Sequence, residues 1–275
     1  MKKSGFTLAE VLITLGIIGV VAALTAPALV TSSRNEANAA KLAVVVSNLE
    51  NAFTTAIAQE GVQDIFHTQM WTHSGAINSN STTANKRIFA GELGKYLIIN
   101  GVRANSANEI SNYYGASGGN LNVFEMGDNG EIGNRVSLEE NDLPNFVPIE
   151  MKNGAVVFIR TFLDHIPIRR PEASAIADGS ALTANAADIF VDVNGASAPN
   201  TFGRDIFVFY VGQNGILYPF GGADIAGLEG DAEDDWRNSS SWQACLPEEG
   251  HVGDAGTKGL GCTARLISEN YKMNY

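Results

Sequence analysis

Residues 1–30 read MKKSGFTLAEVLITLGIIGVVAALTAPALV and decide the fold of this 275-residue chain. Two lysines precede Gly5, and an apolar run extends from Val11 to Val30 with Glu10 at its start. As an α-helix, about 20 residues rising about 1.5 Å each span roughly 30 Å, the thickness of a bilayer core. An unpaired carboxylate at the edge of such a helix is costly, so Glu10 needs a partner.

Three interpretations of this stretch compete. A secretory signal peptide explains the basic start and the small residues around Pro27, but the apolar run exceeds the usual length of roughly 7–15 residues. A plain membrane anchor explains the hydrophobicity and leaves Glu10 without a role. The sequence GFTLAE at 5–10, followed by an apolar helix, also resembles the signature of the type IV prepilins, and the resemblance extends to Pro27.

The resemblance implies a specific chemistry at the amino terminus. In that family a membrane peptidase cuts after the glycine and methylates the new terminus, so Gly5 is the last leader residue and Phe6 the first mature residue. The freed α-amino group, on the same or a neighbouring subunit, can then neutralise Glu10 in apolar surroundings. The implied product is a filament subunit of a type IV pilus or a type II secretion pseudopilus. Its partners would be the prepilin peptidase, other subunits and the inner-membrane assembly platform.

The apolar run continues into an amphipathic segment. Apolar side chains recur at helical spacing between residues 31 and 60, and no strong helix breaker occurs before Gly61. The apolar stripe consists of Leu42, Val45, Val46, Leu49, Phe53 and Ile57. The polar face is predicted to carry Arg34, Asn38, Lys41, Asn48, Glu50 and Gln59. We therefore predict four parts: a leader at 1–5, a transmembrane or filament-core helix at 6–30, its amphipathic continuation at 31–60 and a globular head at 61–275.

The second half of the head is predicted to be β structure. Short segments rich in β-branched and aromatic residues are separated by Asn-Gly turns without intervening helices, which favours an antiparallel meander. The predicted strands are 155–162, 188–193, 205–211 and 216–220. A short helix is predicted at 86–97. Residues 62–86 are predicted to form a loop or a short irregular helix, 100–145 a long connection with short strands, and 164–187 an irregular loop. The fold class is therefore α+β, a long helix packed on an antiparallel sheet, as the resemblance also implies.

Composition limits the functions open to the chain. The net charge of −12 repels DNA phosphates and anionic lipid, and no run of Lys or Arg offers a local nucleic-acid site. Neither an HExxH motif nor a Walker loop occurs. His165 lies beside Asp164, and His251 lies in a Gly-rich segment, but neither accompanies a nucleophile motif. We therefore predict that the protein is not an enzyme.

Two cysteines, Cys245 and Cys262, lie near the C-terminus. An even number of cysteines in an exported chain predicts one disulfide, which would stabilise the fold by about 3 kcal/mol in the chain-entropy model. Two buried free thiols are the alternative. No CxxC or Cys/His cluster accompanies the pair, so a metal site there is not predicted.

One segment of the head offers oxygen ligands for a cation. Residues 188–211, like the chain's end from Cys262, resemble recurring parts of pilin-like proteins, and some pseudopilins hold calcium in loops of this region. The DVNG sequence resembles the start of an EF-hand loop, but Gly203 occupies the place of its bidentate glutamate. The alternative is an Asx-type turn, in which side chains bond to their own backbone. The candidate ligands for Ca²⁺ are Asp192, Asn194 and Asp205.

Two other classes of function are open. A membrane-anchored periplasmic domain for binding or adhesion would use the helix only as an anchor and would not polymerise. A tethered hydrolase would depend on His165 or His251. The resemblance implies instead a single-pass protein of the bacterial inner membrane whose head is periplasmic or extracellular and which joins a filament. The candidate contact residues of that head are Trp236 and Trp242, with packing of the C-terminal loop as the alternative role.

Overall fold

The computed structural model describes most of the helical and β structure of the chain. Gly5, Phe6, Trp236, Trp242 and His251 lie outside the described residues, as does the side chain of His165. Backbone packing divides the chain into two compact units, Met1–Ala37 and Asn38–Tyr275. The described residues are 7–77, 81–102, 113–114, 116–117, 120–121, 123–126, 132–135, 146–169, 183–195, 197–198, 200–221, 224–225, 245, 259 and 261–273.

The long helix α1 spans Leu8–Glu60, as predicted. Its large apolar side chains up to Val30 are 42–78% exposed. Of the helices in the described part of the chain, α1 is the one whose length and composition suffice to cross a membrane. The helix ends at Gly61, which adopts a φ of +65°. The amide of Val62 then donates to the carbonyl of Ile57, a glycine-based helix end that satisfies terminal carbonyls.

Within the second unit, the predicted apolar stripe of α1 is buried. Leu42, Val45, Leu49 and Phe53 are inaccessible to solvent, and Ile57 is partly buried against the same core. Small residues fill the gaps between these side chains, namely Ala39, Ala52 and Ala56. The spacing of apolar residues therefore predicted this packing face correctly.

Eleven described strands follow three short helical segments. The helical segments are a 3₁₀ turn at Ile65–His67, α2 at Gln69–Ser74 and α3 at Thr83–Leu93. The strands are β1 Ile99–Val102, β2 Ala116–Ser117, β3 Asn120–Leu121, β4 Phe124–Met126, β5 Ile132–Arg135, β6 Val147–Met151, β7 Val156–Arg169, β8 Thr183–Asp192, β9 Ile206–Gly212, β10 Leu217–Pro219 and β11 Asp224–Ile225. The chain's last described helix is α4, Cys262–Ser268.

The main sheet is antiparallel throughout. Its strands lie in the order β1-β6-β7-β8-β9-β10, and β11 pairs with β7 outside this path. Two small ribbons, β2–β3 and β4–β5, are separate from it. The run from β6 to β10 is the predicted meander, because each strand pairs with the next one along the chain. The α+β fold class is therefore confirmed.

The structure corrects two predicted boundaries. The segment 164–187 is partly strand rather than loop, because β7 and β8 resume pairing beyond an irregularity between Thr161 and Ile166. Helix α3 begins before residue 86, because Thr82 and Asn85 form a capping box. Of the two predictions for 62–86, the short helix is present as α2, and its Trp71 is fully buried in the core.

The main sheet is buried on both faces. The side chains of Val157, Val191 and Phe207 lie in register across β7, β8 and β9 and belong to the same core as the α1 stripe. Their neighbours Phe158 and Phe190 point to the other face and belong to a second cluster. Strand alternation thus divides the apolar side chains between two cores.

That second face also holds a buried ion pair between β7 and β8. Arg160 Nη2 lies 2.6 Å from Asp188 Oδ2, and Asn185 Nδ2 donates to Asp188 Oδ1 at 3.0 Å. The Arg160 guanidinium also lies 5.3 Å from the ring centroid of Phe146. Buried charges persist only with such partners, so the pair is a fixed part of the core.

The C-terminal helix α4 is fixed to the sheet and to the disulfide. Cys245 and Cys262 are bonded, with Cα atoms 4.7 Å apart. The amide of Val208 in β9 donates to Thr263 Oγ1 at 3.0 Å. Arg265 Nη1 donates to the carbonyl of Cys245 at 3.1 Å. These contacts place α4 against strand β9 and against Cys245.

Gly203 lies directly beneath this disulfide. It adopts a φ of +79°, and a Cβ added there would lie 2.9 Å from Cys262 Sγ and 2.9 Å from the carbonyl oxygen of Gly259. Only glycine combines this backbone conformation with so close an approach. Gly203, which occupies the place of the glutamate in an EF-hand loop, therefore has a packing function.

We expect Gly203→Ala to lower the free energy of unfolding by about 2–4 kcal/mol, since backbone strain and overpacking add. Gly61→Ala is the matched control. Gly61 has a similar φ of +65°, but nothing lies within 4 Å of its added Cβ, so only the backbone cost of about 1–2 kcal/mol remains. Urea denaturation of the mature protein in detergent measures both. Equal losses would contradict the proposed clash with the disulfide.

Candidate functional site

The carboxylate of Glu10 is bound within its own helix. Both the backbone N–H and the hydroxyl of Thr7 donate to Glu10 Oε2, each at 2.8 Å, and the amide of Glu10 faces Thr7 Oγ1 at 3.3 Å. Thr7 is the residue before α1, so this pair is a capping box that satisfies donors at the helix start. The positive end of the helix dipole also favours an acid there.

Sequence reasoning assigned Glu10 an amine partner and missed Thr7. The signal was present, because TLAE at 7–10 has the capping-box spacing of a threonine followed three residues later by a glutamate. The arrangement gives the acid neutral donors within its own chain. Within the part of the chain that the structure describes, both bonds from Thr7 end on Oε2, so Oε1 can accept from a further donor.

The apolar first part of α1, residues 8–30, is here called the stem. Threonine hydroxyls in the stem and just after it form hydrogen bonds within the helix. The hydroxyls of Thr14, Thr25 and Thr31 each donate to a backbone carbonyl three or four residues earlier. Such internal bonds let threonine lie in apolar surroundings without an unpaired hydroxyl. A Cβ added at Gly16 or Gly19 would meet nothing within 4 Å, so both positions allow close approach of another helix.

The three predicted cation ligands lie together at the ends of β8 and β9. Asp192 and Asp205 are 0% and 3% exposed. Asn194 joins them: its amide N–H donates to Asp192 Oδ1 at 3.1 Å, and its Nδ2 donates to Asp205 Oδ2 at 3.1 Å. Tyr114 donates its hydroxyl to Asp192 Oδ2 at 2.9 Å. The Asx-type turn that was the alternative is therefore present, with both carboxylates beside it.

The electrostatics of this loop favour a bound proton or a bound cation. Burial raises the pKa of Asp192 to about 8, and the charge of Asp205 adds to the rise, while the hydrogen bond from Tyr114 opposes it. Burial also raises the pKa of the Tyr114 hydroxyl, with the Asp192 charge contributing. Two buried carboxylates this close cannot both ionise cheaply without a positive charge between them.

The donor chemistry of the loop fits a hard cation. In the described ranges no three His, Cys, Asp or Glu side chains are grouped as a metal site, so neutral oxygens would have to complete the shell. Two are available: Asn194 Oδ1 and Thr201 Oγ1 are buried and lack a hydrogen-bond partner among the described residues. Calcium takes six to eight oxygen ligands in flexible geometry, so carboxylate, amide and hydroxyl oxygens suit it.

Residues 1–26 match the family described as the prokaryotic N-terminal methylation motif. The chain carries the type IV pilin and pseudopilin signature. Comparison with curated proteins and with solved structures finds no significant match to this chain. The match supports a pilin-like protein with a prepilin-type amino terminus, and it covers the start of α1 but none of the head.

The pilin signature points to a structural protein rather than to an enzyme. The sequence GASGG at 115–119 satisfies the short serine-hydrolase pattern GxSxG. Its central residues, Ala116–Ser117, form strand β2, which pairs with Asn120–Leu121 in a small ribbon. A nucleophile elbow requires a strand-to-helix turn instead, so this match lacks the structural context of the motif.

Two polar residues of the pilin helix α1 have partners that were not predicted. Asn38 is 5% exposed, and its Nδ2 donates to the carbonyl of Arg204 at 3.2 Å. The amide of Leu217 in β10 donates to Glu50 Oε1 at 3.0 Å. Spacing could have indicated Asn38, because it lies four residues before Leu42 and so falls on the buried stripe. The sequence around Glu50 does not indicate its contact with β10.

Thr7→Val should loosen the first turn of the pilin helix, because it removes the capping hydroxyl. We expect a loss of about 1 kcal/mol, so the amides of residues 8–11 should exchange with solvent about fivefold faster. Hydrogen exchange of the mature protein in micelles measures this. Thr7→Ser should behave as wild type, and Thr14→Val, which alters a hydroxyl outside the cap, should leave these amides unchanged. Unchanged exchange in Thr7→Val would contradict the cap.

Proposed function

We propose that this chain is a filament subunit of a type IV pilus or a type II secretion pseudopilus. The observation that carries the proposal is the N-terminal methylation motif at residues 1–26, which leads directly into an exposed apolar helix. The bacterial inner membrane holds the single-pass subunit before assembly, and its head lies in the periplasm or outside the cell. The partners are the prepilin peptidase, other pilin or pseudopilin subunits and the assembly platform.

Processing prepares the subunit for assembly. The peptidase cuts the bond after Gly5, and the α-amino group of Phe6 becomes a cation at the membrane edge. Glu10 is already oriented towards the helix start by Thr7. The amine of a neighbouring subunit then pairs with Glu10, which neutralises two charges that are costly alone in lipid.

The stems then bundle through their apolar surfaces. Lipid tails are as apolar as leucine, so helix association in a membrane depends on close packing rather than on the hydrophobic effect. Gly16 and Gly19 offer open sites for that packing. The ion pair fixes the axial position of each added stem, since it forms in only one register.

The loop between β8 and β9 is proposed as a structural calcium site. Asp192, Asn194 and Asp205 would hold Ca²⁺ with their side-chain oxygens. The cation would supply the positive charge that the two buried carboxylates lack, and it would close the loop between the ends of the two strands. It takes no part in processing or in the pairing of Glu10.

The mass of the mature amino terminus tests the proposed function. In cells that contain a prepilin peptidase, the purified chain should begin at Phe6 and carry a methyl group on that residue. Gly5→Leu should retain residues 1–5, because a bulky residue at the cut site blocks the peptidase. A natural chain that keeps its first five residues, or that begins beyond Ala28, would refute processing as a prepilin.

A further inference from the structure

We infer that the hydroxyl of Thr201 is a further calcium ligand in the loop between β8 and β9, an inference that rests on the cation site proposed above. Thr201 was not a candidate on sequence grounds. It lies outside the DVNG motif and comes close to the predicted ligands only through the path of the loop.

Hydrogen bonds of the loop fix the position of Thr201. Its backbone N–H donates to Asp205 Oδ1, so the residue lies beside one of the two buried carboxylates. Its carbonyl accepts from the amides of Arg204, Asp205 and Ile206 at 3.1, 3.1 and 3.2 Å. Both polar groups of its backbone are therefore engaged next to Asp205, and its side chain is buried.

The hydroxyl itself has nothing to bond to in the described structure. Thr201 is 2% exposed, and Oγ1 has no hydrogen-bond partner among the described residues. Burying an unpaired hydroxyl is unfavourable, and buried polar atoms of this kind usually mark a partner such as an ordered water or an ion. A cation between the carboxylates would accept the hydroxyl oxygen as a ligand.

Asn194 supports the same position for the cation. Its Nδ2 faces Asp205, while its Oδ1 is buried without a hydrogen-bond partner in the described part of the chain. The oxygen and nitrogen of an amide side chain are distinguished by their hydrogen bonds. A half-turn of this amide would present Oδ1 to a cation beside Asp205, so a cation would satisfy both orphaned oxygens at once.

The ligand set indicates calcium in particular. Two carboxylates balance a divalent charge, and the remaining ligands are neutral oxygens on an irregular loop. Magnesium demands near-octahedral geometry and retains its waters, whereas calcium accepts irregular sets of six to eight oxygens. Zinc prefers nitrogen and sulfur ligands, which the described residues of this loop do not supply.

Thr201→Val separates a ligand role from a structural role, because the two predict opposite changes. Valine keeps the shape of threonine and removes only the hydroxyl. We expect the calcium-free variant to be at least as stable as wild type and to bind Ca²⁺ about tenfold or more weakly. Thr201→Ser should restore the affinity. The experiment uses the full mature chain in detergent, stripped of metal, with calorimetric titration of CaCl₂ and melting temperatures in CaCl₂ and in EGTA.

Thr161→Val is the matched control. Thr161 is also fully buried, but its hydroxyl oxygen accepts from the amide of Ile77 at 2.8 Å. Removing that hydroxyl should lower the melting temperature in EGTA and leave the calcium affinity unchanged. This pair of variants compares a hydroxyl that has a protein partner with one that has none.

Three results would contradict the proposed ligand role of Thr201. Wild-type calcium affinity in Thr201→Val would show that Thr201 is not a ligand. A fall in calcium-free stability like that of Thr161→Val would show that its hydroxyl has a structural partner. If wild type neither binds Ca²⁺ in the titration nor melts higher with it, the ligand inference and the calcium site are both wrong. The filament proposal would stand, because the mass of the amino terminus tests it separately.

Discussion

Glu10→Ala is expected to abolish filament assembly while the leader is still removed. The variant leaves the α-ammonium of the neighbouring subunit unpaired at the membrane edge. Removing one member of a buried ion pair costs about 3–5 kcal/mol. That cost weakens the addition of each subunit by more than about a hundredfold. Electron microscopy and a filament shearing assay should therefore find no polymer, although the mature mass equals that expected after cleavage.

Two variants identify which property of Glu10 matters. Glu10→Gln keeps an oxygen and a nitrogen near Thr7 and can still cap the helix, but it removes the charge. It should fail to assemble as Glu10→Ala does. Glu36→Ala removes an exposed acid from the same helix and should assemble normally. Filaments formed by Glu10→Gln would show that capping, rather than charge pairing, is the required role.

The wild-type chain provides a further comparison for this experiment. In cells with a working assembly platform it should be found in the sheared filament fraction. A wild-type protein that stays dispersed in the membrane under these conditions would instead favour a tethered binding or adhesion domain. That result would contradict assembly without contradicting processing.

Arg160→Met is expected to lower the free energy of unfolding by about 3–5 kcal/mol. Arg160 and Asp188 have side chains that are 7% and 0% exposed, and their closest atoms are 2.6 Å apart. Methionine fills most of the volume of arginine but leaves the Asp188 carboxylate buried with Asn185 as its remaining described partner. A buried carboxylate without a counter-charge is strongly unfavourable.

Urea denaturation, followed by intrinsic fluorescence, measures this loss. The double variant Arg160→Met, Asp188→Leu removes both charges and should recover most of the stability, since apolar replacement of a buried pair is often neutral. Lys95→Met breaks the exposed pair with Glu92 and should cost less than about 1 kcal/mol. A loss in Arg160→Met no greater than that in Lys95→Met would contradict the importance of the buried pair.

Local patterns predicted the parts of the fold whose signals lie within a few residues. The apolar run, the stripe of α1 and the strands around the Asn-Gly turns all follow from spacing or turn chemistry. The extension of β7 to Arg169 does not, because the segment 163–169 includes a proline and charged residues. It is a strand because distant segments, β8 and β11, pair with both of its sides.

The candidate sites also divide into residues recognisable from their sequence neighbours and residues brought together only by the fold. Glu10 is recognisable because its neighbours in sequence define the motif, and Asp192 and Asn194 because they share one turn. Tyr114 lies 78 residues from Asp192, and their contact exists only in the folded chain. Glu50 and the amide of Leu217 are separated by 167 residues. Such contacts depend on the tertiary fold, which short sequence patterns do not encode.

The hydrogen bond between Glu50 and β10 affects how readily the sheet edge could pair with the sheet of a neighbouring molecule. A fibre built from this chain would hold many sheets at high local concentration, where open strand edges invite sheet fusion. At the β10 edge, the amide of Leu217 already donates to the Glu50 carboxylate, and Pro219 has no backbone N–H to donate. This edge is therefore poorly suited to pairing with a strand of a neighbouring head, even where heads are crowded together.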